Sequence, residues 1–191
     1  MEQTSPKRRF ESKKHWAEWL DKNHAKSSGI WLRLAKKDSG LTSVAYKEAL
    51  DAALCYGWID GQKKPENDRT WLQRFVPRSA KSVWSKINRE KAEDLIKSRQ
   101  MKPAGLEAID NAKKNGRWES AYDAQSKASV PPDFAAALSA SPRAKAFFAT
   151  LESRNRYAIL WRIQTAKRPE TRGRKITEFI ALLERNEKLH P

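Results

Sequence analysis

Cysteine is all but missing. The 191-residue chain has one, Cys55, which excludes an internal disulfide and any cysteine-based zinc site. Histidine is scarce too. His15, His24 and His190 are scattered, and the first two do not share a helical face, so no zinc triad is expected. No apolar run reaches the roughly eighteen residues of a membrane-crossing helix. Residues Met1 to Arg9 lack the apolar core of a secretory signal, so a cytoplasmic location is expected. Phosphate-loop, dinucleotide, nucleophile-elbow and zinc-protease motifs are all missing. No histidine sits in a dense motif, which argues against ordinary general-base catalysis near neutral pH. A cofactor and a metal are therefore not expected.

Acids are outnumbered, with 23 Asp+Glu against 39 Lys+Arg, a formal net charge of +16. The mean hydropathy of −0.85 pulls toward disorder. Eight Trp, six Phe and four Tyr pull the other way, because they recur from Phe10 to Phe179 and can fill a core. At 22.0 kDa, roughly 70% of the unfolded surface can be buried in one domain or two small ones.

The pattern along the chain predicts helix, strand, helix, strand, strand, then helices only. Ser12 is placed to cap a helix to about residue 26, with Trp16, Trp19 and Leu20 on one stripe. Residues 29–37 alternate as a strand. Ser43 is placed to open a helix that Gly57 ends. Residues 58–63 and 70–76 read as an antiparallel hairpin. After Ser79 helices fit at about 85–99, 103–114, 131–139, 141–151, 153–167 and 170–187, four of them with proline at or near the first turn. Residues 123–130 have linker composition. Strands followed by separate helices mean α+β. The expected organisation is a basic disordered tail over 1–9, a small antiparallel-sheet module over 10–99, and an all-helical region over 100–191.

Two strings are dense in chemistry. Gly57-Trp58-Ile59-Asp60-Gly61 either presents Trp58 and Asp60 to a ligand or is a helix stop followed by a turn. Cys55, among apolar helical positions, reads as core and not as a nucleophile. From Arg74 to Arg89 the cations Arg74, Arg78, Lys81, Lys86 and Arg89 interleave with Phe75, Trp84 and serines, with no acid in sixteen residues. That stretch runs into a helix N-terminus, and cations beside free backbone N–H groups favour an anion. The candidate ligand-binding residues are Trp58, Asp60, Arg74, Arg78, Lys81, Trp84, Lys86 and Asn88; no catalytic residue is assigned. Asp60, Glu66 and Asp68 are a weak candidate acid–base group, since their neighbours are also turn residues. Arg69 and Arg74 beside Trp71, and Arg117 beside Trp118, read as structural cation–π pairs. The basic run over 168–175 reads as a solvated helix start that could also meet phosphate.

At these strings the chain resembles the YdeI/OmpD-associated, or bacteriocin-protection, family. The matching segments are 29–32, Glu48 through Gly61, Phe75-Val76-Pro77-Arg78, Ser82 through Asn88, 101–105, 116–118 and Ala166 through Arg172. The resemblance implies a small α/β module related to the YjbR/CyaY-like superfamily, then a helical segment, with an envelope or porin connection. It carries over no catalytic residues. It makes a shared pocket more plausible than scattered caps.

The expected function is a non-enzymatic binding and stress-protection protein with an anion pocket, taking an anionic small molecule or an acidic partner protein. The alternative is a basic protein that binds nucleic acid nonspecifically, for which the charge speaks but the common motifs are missing. Catalysis through Asp60, and iron handling by superfamily analogy, are weaker readings; hard cations need clustered carboxylates that this chain lacks.

Overall fold

A computed structural model of the chain describes residues 6–191. It divides into two compact units. A sheet unit holds the described residues up to Ser82 together with Asn88–Glu119, and a helical unit holds Val83–Ile87 with Ser120–Pro191. The fold class is α+β, with the sheet first and helices toward the C-terminus.

In the sheet unit, α1 (Lys13–Asn23) begins where expected: the Ser12 side chain accepts from the His15 amide at 3.3 Å. Trp16 is fully buried and Trp19 stacks on it, with ring centroids 5.3 Å apart. The Trp16 indole N–H donates to the Ala49 carbonyl at 3.0 Å, joining α1 to α2 (Tyr46–Cys55). Ser43 does not cap α2 as the sequence predicts. Its hydroxyl accepts from the Ala35 amide at 2.9 Å, and the Ala45 amide donates instead to Glu48 at 3.2 Å. The amide at the end of β2 takes this hydroxyl instead.

Four strands form one sheet in the order β1-β2-β4-β3: β1 (Lys7–Arg8), β2 (Ile30–Ala35), β3 (Trp58–Pro65) and β4 (Thr70–Pro77). The hairpin of β3 and β4 is antiparallel, as expected. Of the tail expected over 1–9, residues 1–5 lie outside the described part, and Lys7–Arg8 pair in parallel with Trp31 and Leu32. Two residues carry no alternation to read, so the sequence pattern misses this strand.

Register divides the side chains between two faces. Ile30 faces Phe75, Leu32 faces Gln73 and Leu34 faces Trp71 across β2 and β4. This is the face on which Trp16 meets Phe75, at 5.6 Å between rings, and Trp58, edge-on at 6.4 Å. Trp31 and Arg74 pair on the opposite face.

A bulge interrupts β3. Asp60 pairs with Phe75, but Lys63 pairs with Gln73, so three steps on one strand match two on the other. The Gln73 amide donates to the carbonyls of Gly61 (3.0 Å) and Gln62 (3.2 Å). That explains why a glutamine can be buried here, since its polar end satisfies the carbonyls that the bulge takes out of the ladder.

Gly57 ends α2 with φ +70°. A Cβ there would stand 2.7 Å from the Ala104 carbonyl of α4 (Pro103–Lys114). Gly105 returns the fit, since a Cβ on it would run into the Cys55 carbonyl. Ahead of α4 in the chain comes α3 (Lys86–Lys97), whose Lys91 pairs with Asp51 of α2 at 2.5 Å.

The helical unit packs α5 (Pro132–Ala140), α6 (Pro142–Thr150), α7 (Ser153–Gln164) and α8 (Pro169–Glu184) around Phe134, Phe148, Ile159, Ile163, Phe179 and Leu183. Phe134 and Phe148 meet edge to face at 5.5 Å. Arg172 of α8 clasps Asp133 with two nitrogens (2.6 and 2.8 Å) and donates a third bond to the Ile163 carbonyl at 2.7 Å. This one side chain joins α5, α7 and α8. The 123–130 segment, which reads as a linker, is instead pinned: Asp123 bonds both ends of the Gln164 amide, and Gln125 bonds Ser153.

Trp16→Ala should destabilise the sheet unit by about 3–5 kcal/mol through the cavity and the lost indole bond. Gly57→Ala should cost about 1–3 kcal/mol through crowding against α4. Urea unfolding followed by tryptophan fluorescence checks both.

Candidate functional site

The eight residues expected to bind a ligand have distinct surroundings. In the sheet unit, Trp58 is 1% exposed; its indole N–H donates to the His24 carbonyl (3.1 Å) and its ring is edge-on to Trp19 (5.9 Å). It is part of the core. Asp60 lies on the same sheet face and accepts a 2.6 Å bond from the Tyr46 hydroxyl. Arg74 lies on the other face, 5.8 Å from the Trp31 ring. Strand alternation thus separates Asp60 from Arg74. The Arg78 amide donates to the Gly57 carbonyl at 2.9 Å, fastening the end of β4 to the end of α2. Lys81 is exposed on a turn closed by Ser79 and Ser82. Asn88 is half-buried in the first turn of α3.

Trp84 and Lys86 belong to the helical unit. Trp84 is buried. Lys86 is neutralised by Asp123 at 2.6 Å. Hydrogen bonding from Lys86 holds the Asp123 carboxyl below its usual range, against the opposing effect of burial. Next to it, burial pushes the Tyr157 phenol up to about 12, while its hydroxyl donates to the Asp123 carbonyl at 2.9 Å.

A recess that combines cations with an aromatic wall lies elsewhere, at the end of the sheet where β2 runs out and β3 turns into β4. Ala35, Lys36, Lys37, Lys63, Pro65 and Trp71 enclose about 560 Å³, within the range of small-molecule sites. The Lys36 amide donates to the Arg69 carbonyl (2.9 Å), so the chain leaving β2 stays beside the hairpin. The bulge sets Lys63 on the Trp71 side, with its ammonium 4.4 Å from the ring centroid. Behind Trp71 stands the Tyr46 ring at 6.0 Å, whose hydroxyl is the one bonded to Asp60. Asp60 is therefore connected to this recess through Tyr46. No acid lines it. The sequence signal was present as two lysine pairs, 36–37 and 63–64, but only the strand register brings Lys36, Lys37 and Lys63 to Trp71 and sends Lys64 to Trp31.

Other chemistry is sparse. Burial raises the Cys55 thiol pKa and disfavours its thiolate. Among the described residues no three of His, Cys, Asp and Glu gather to hold a metal ion, and no helix is long and apolar enough to cross a membrane.

The family model described as a domain of unknown function (DUF8412) matches residues 8–108. The chain belongs to that family. A second model, of the bacteriocin-protection, YdeI or OmpD-associated family, matches residues 127–186, which agrees with the resemblance seen in the motifs. Of the segments that carried that resemblance, Ala166 through Arg172 falls inside this range, and its Arg172 is the clasp between helices. The segments from 29 to 105 fall inside the DUF8412 range. Searches of curated proteins and of solved structures returned no match. In this DUF8412 protein the Trp71 recess lies wholly in the first region, and the Lys86–Asp123 pair precedes the second.

The lowered Asp123 pKa means that its ionised form favours the fold. Its contribution is whole above the ordinary value of 3.8 and is lost as pH falls through the lower folded-state value. Asp123→Asn should therefore destabilise the helical unit at about pH 6, and by less and less as pH falls below 3.8, as read by urea midpoints from circular dichroism.

Proposed function

We propose that this DUF8412 protein, with its YdeI/OmpD-associated domain, is a non-enzymatic binding protein in a stress-protection role. Its ligand is a small anion that carries a planar ring, and its site is the Trp71 recess. The supporting observation is that three lysines and the Trp71 face line one concavity with no carboxylate among them. Two unit charges 4 Å apart attract by about 1 kcal/mol in bulk water and about 4 kcal/mol at the dielectric of a protein surface, so a recess favours anion capture over open solvent. Stacking a ring on an aromatic side chain adds about 1–3 kcal/mol. Lys63 already rests on Trp71, and an incoming anion draws that ammonium off the ring and exposes the face for stacking. Asp60 serves by holding Tyr46 behind Trp71.

Nucleic acid is the second reading. It draws on the cations over Trp31 on the opposite sheet face, Lys64 at 4.9 Å and Arg74 at 5.8 Å. Trp31 itself is 8% exposed, which leaves little ring for a base to stack on.

AMP is a suitable probe, compared with ribose 5-phosphate and adenosine by calorimetry. AMP should bind at one site, and Trp71→Leu should weaken AMP at least about fivefold while leaving ribose 5-phosphate unchanged. Lys37→Ala should weaken both phosphates. Absence of saturable AMP binding, or an equal loss with Lys97→Ala on the remote end of α3, overturns the reading. A single-stranded oligonucleotide that binds tighter than AMP, with affinity falling steeply in salt, favours the nucleic-acid alternative.

A further inference from the structure

The opposite face of the same sheet end holds a second recess, of about 630 Å³, lined by Arg9, Arg33, Leu41, Asn67, Asp68, Arg69 and Thr70. Arg33 and Thr70 alternate with Leu34 and Trp71 along their strands, so they point away from the lysine recess. The two concavities share a strand end but not a face.

Its three guanidinium groups are held differently. Arg33 is gripped by Glu66 through two bonds of 2.7 and 2.6 Å, and the Thr70 hydroxyl donates to the same carboxylate at 2.9 Å. The charge of Glu66 is thus spent on Arg33, and its carboxyl sits below the usual range because of that bond. Arg9 and Arg69 are each tethered by one backbone carbonyl: Arg9 Nη1 to Thr42 at 3.2 Å, and Arg69 Nε to Ser39 at 3.0 Å. The tethers use a single N–H each. Among the described residues, both Nη groups of Arg69, and Nε and Nη2 of Arg9, keep their donors for something else, out of the five a guanidinium has.

The backbone under Arg69 is fixed as well. Asn67 Oδ1 accepts from the Arg69 amide (2.9 Å) and the Thr70 amide (2.8 Å). Orienting an arginine before a ligand arrives lowers the entropy lost on binding. The one acid in the lining, Asp68, is exposed. A planar fork suits phosphate oxygens better than a point charge does.

We propose that this recess is a separate binding site for a compact polyanion bearing two or more phosphate groups, held by Arg9 and Arg69 with the Arg33–Glu66 pair as its fixed wall. It needs no aromatic ring, and it stands or falls independently of the Trp71 site.

Inorganic pyrophosphate is the probe, titrated calorimetrically into the full chain at fixed low ionic strength. The expected result is saturable binding that Arg9→Gln with Arg69→Gln weakens at least tenfold, and that Trp71→Leu leaves unchanged. Both arginines are exposed, so the double variant should keep the wild-type circular dichroism and melting temperature. Should it fail to fold, Arg69→Lys alone reads the same question, because it keeps the charge and removes the fork; several-fold weakening is expected. Three results overturn the proposal: no saturable binding; the same loss in Arg143→Gln with Lys145→Gln, exposed cations on α6; or pyrophosphate binding that survives the arginine changes and falls with Lys37→Ala and Lys63→Ala. The last would move the phosphate to the lysine recess. A pyrophosphate result of either sign leaves the Trp71-dependent AMP measurement intact.

Discussion

The sheet unit is organised around one buried indole. Trp16 gives its N–H to the carbonyl of Ala49, stacks on Trp19, and presents its ring to Trp58 and Phe75. An indole left in the interior without an acceptor would carry the full desolvation cost of its N–H. The Ala49 carbonyl removes that cost and in doing so fixes how far α1 and α2 can separate. Everything at the sheet end follows from the position of α2. Tyr46 is its first residue, Tyr46 backs Trp71, and Cys55 with Gly57 at its other end receives Gly105 of α4. A small displacement of α2 would thus be felt at both ends.

What could be read from the chain alone was what is local. The Ser12 cap, the Gly57 stop, the proline-started helices and the β3–β4 hairpin depend on neighbours within a few residues, and the patterning rules act at that range. Ser43 shows the limit, since its partner proved to be an amide on β2, eight residues back. β1 shows another: two residues joined to a sheet by tertiary context leave no periodic trace. The candidate site was harder still. The acid-free run over 74–89 is contiguous in sequence, but alternation sends Arg74 to one face, Trp84 is buried, and Asp123 neutralises Lys86. The residues that do converge, Lys37, Lys63 and Trp71, come from three separate strand ends.

The net charge of +16 also changes meaning with structure. Some of the cations behind it are held in side-chain pairs: Arg33 with Glu66, Lys91 with Asp51, Lys86 with Asp123, Arg172 with Asp133. Arg172 in particular sits in a basic run that looks like a phosphate contact and is in fact a bidentate tie among three helices. Among the others, Lys36, Lys37 and Lys63 on one face and Arg9 and Arg69 on the other line recesses at one end of the sheet. The family comparison divides the chain in a related way, with one match spanning the sheet strands and another spanning the last helices.

The bulge at Gly61 and Gln62 acts as a parity element. Lys63 and Lys64 are consecutive, so they serve opposite faces: Lys63 rests on Trp71 and Lys64 on Trp31. The single extra residue decides which lysine meets which tryptophan. Removing it while keeping the hairpin would exchange the two faces for every residue of β3 on one side of the deletion. Both lysine–tryptophan pairs would be broken by a change that alters no charge and no aromatic group. In this hairpin, length at one position carries the specificity that composition does not show.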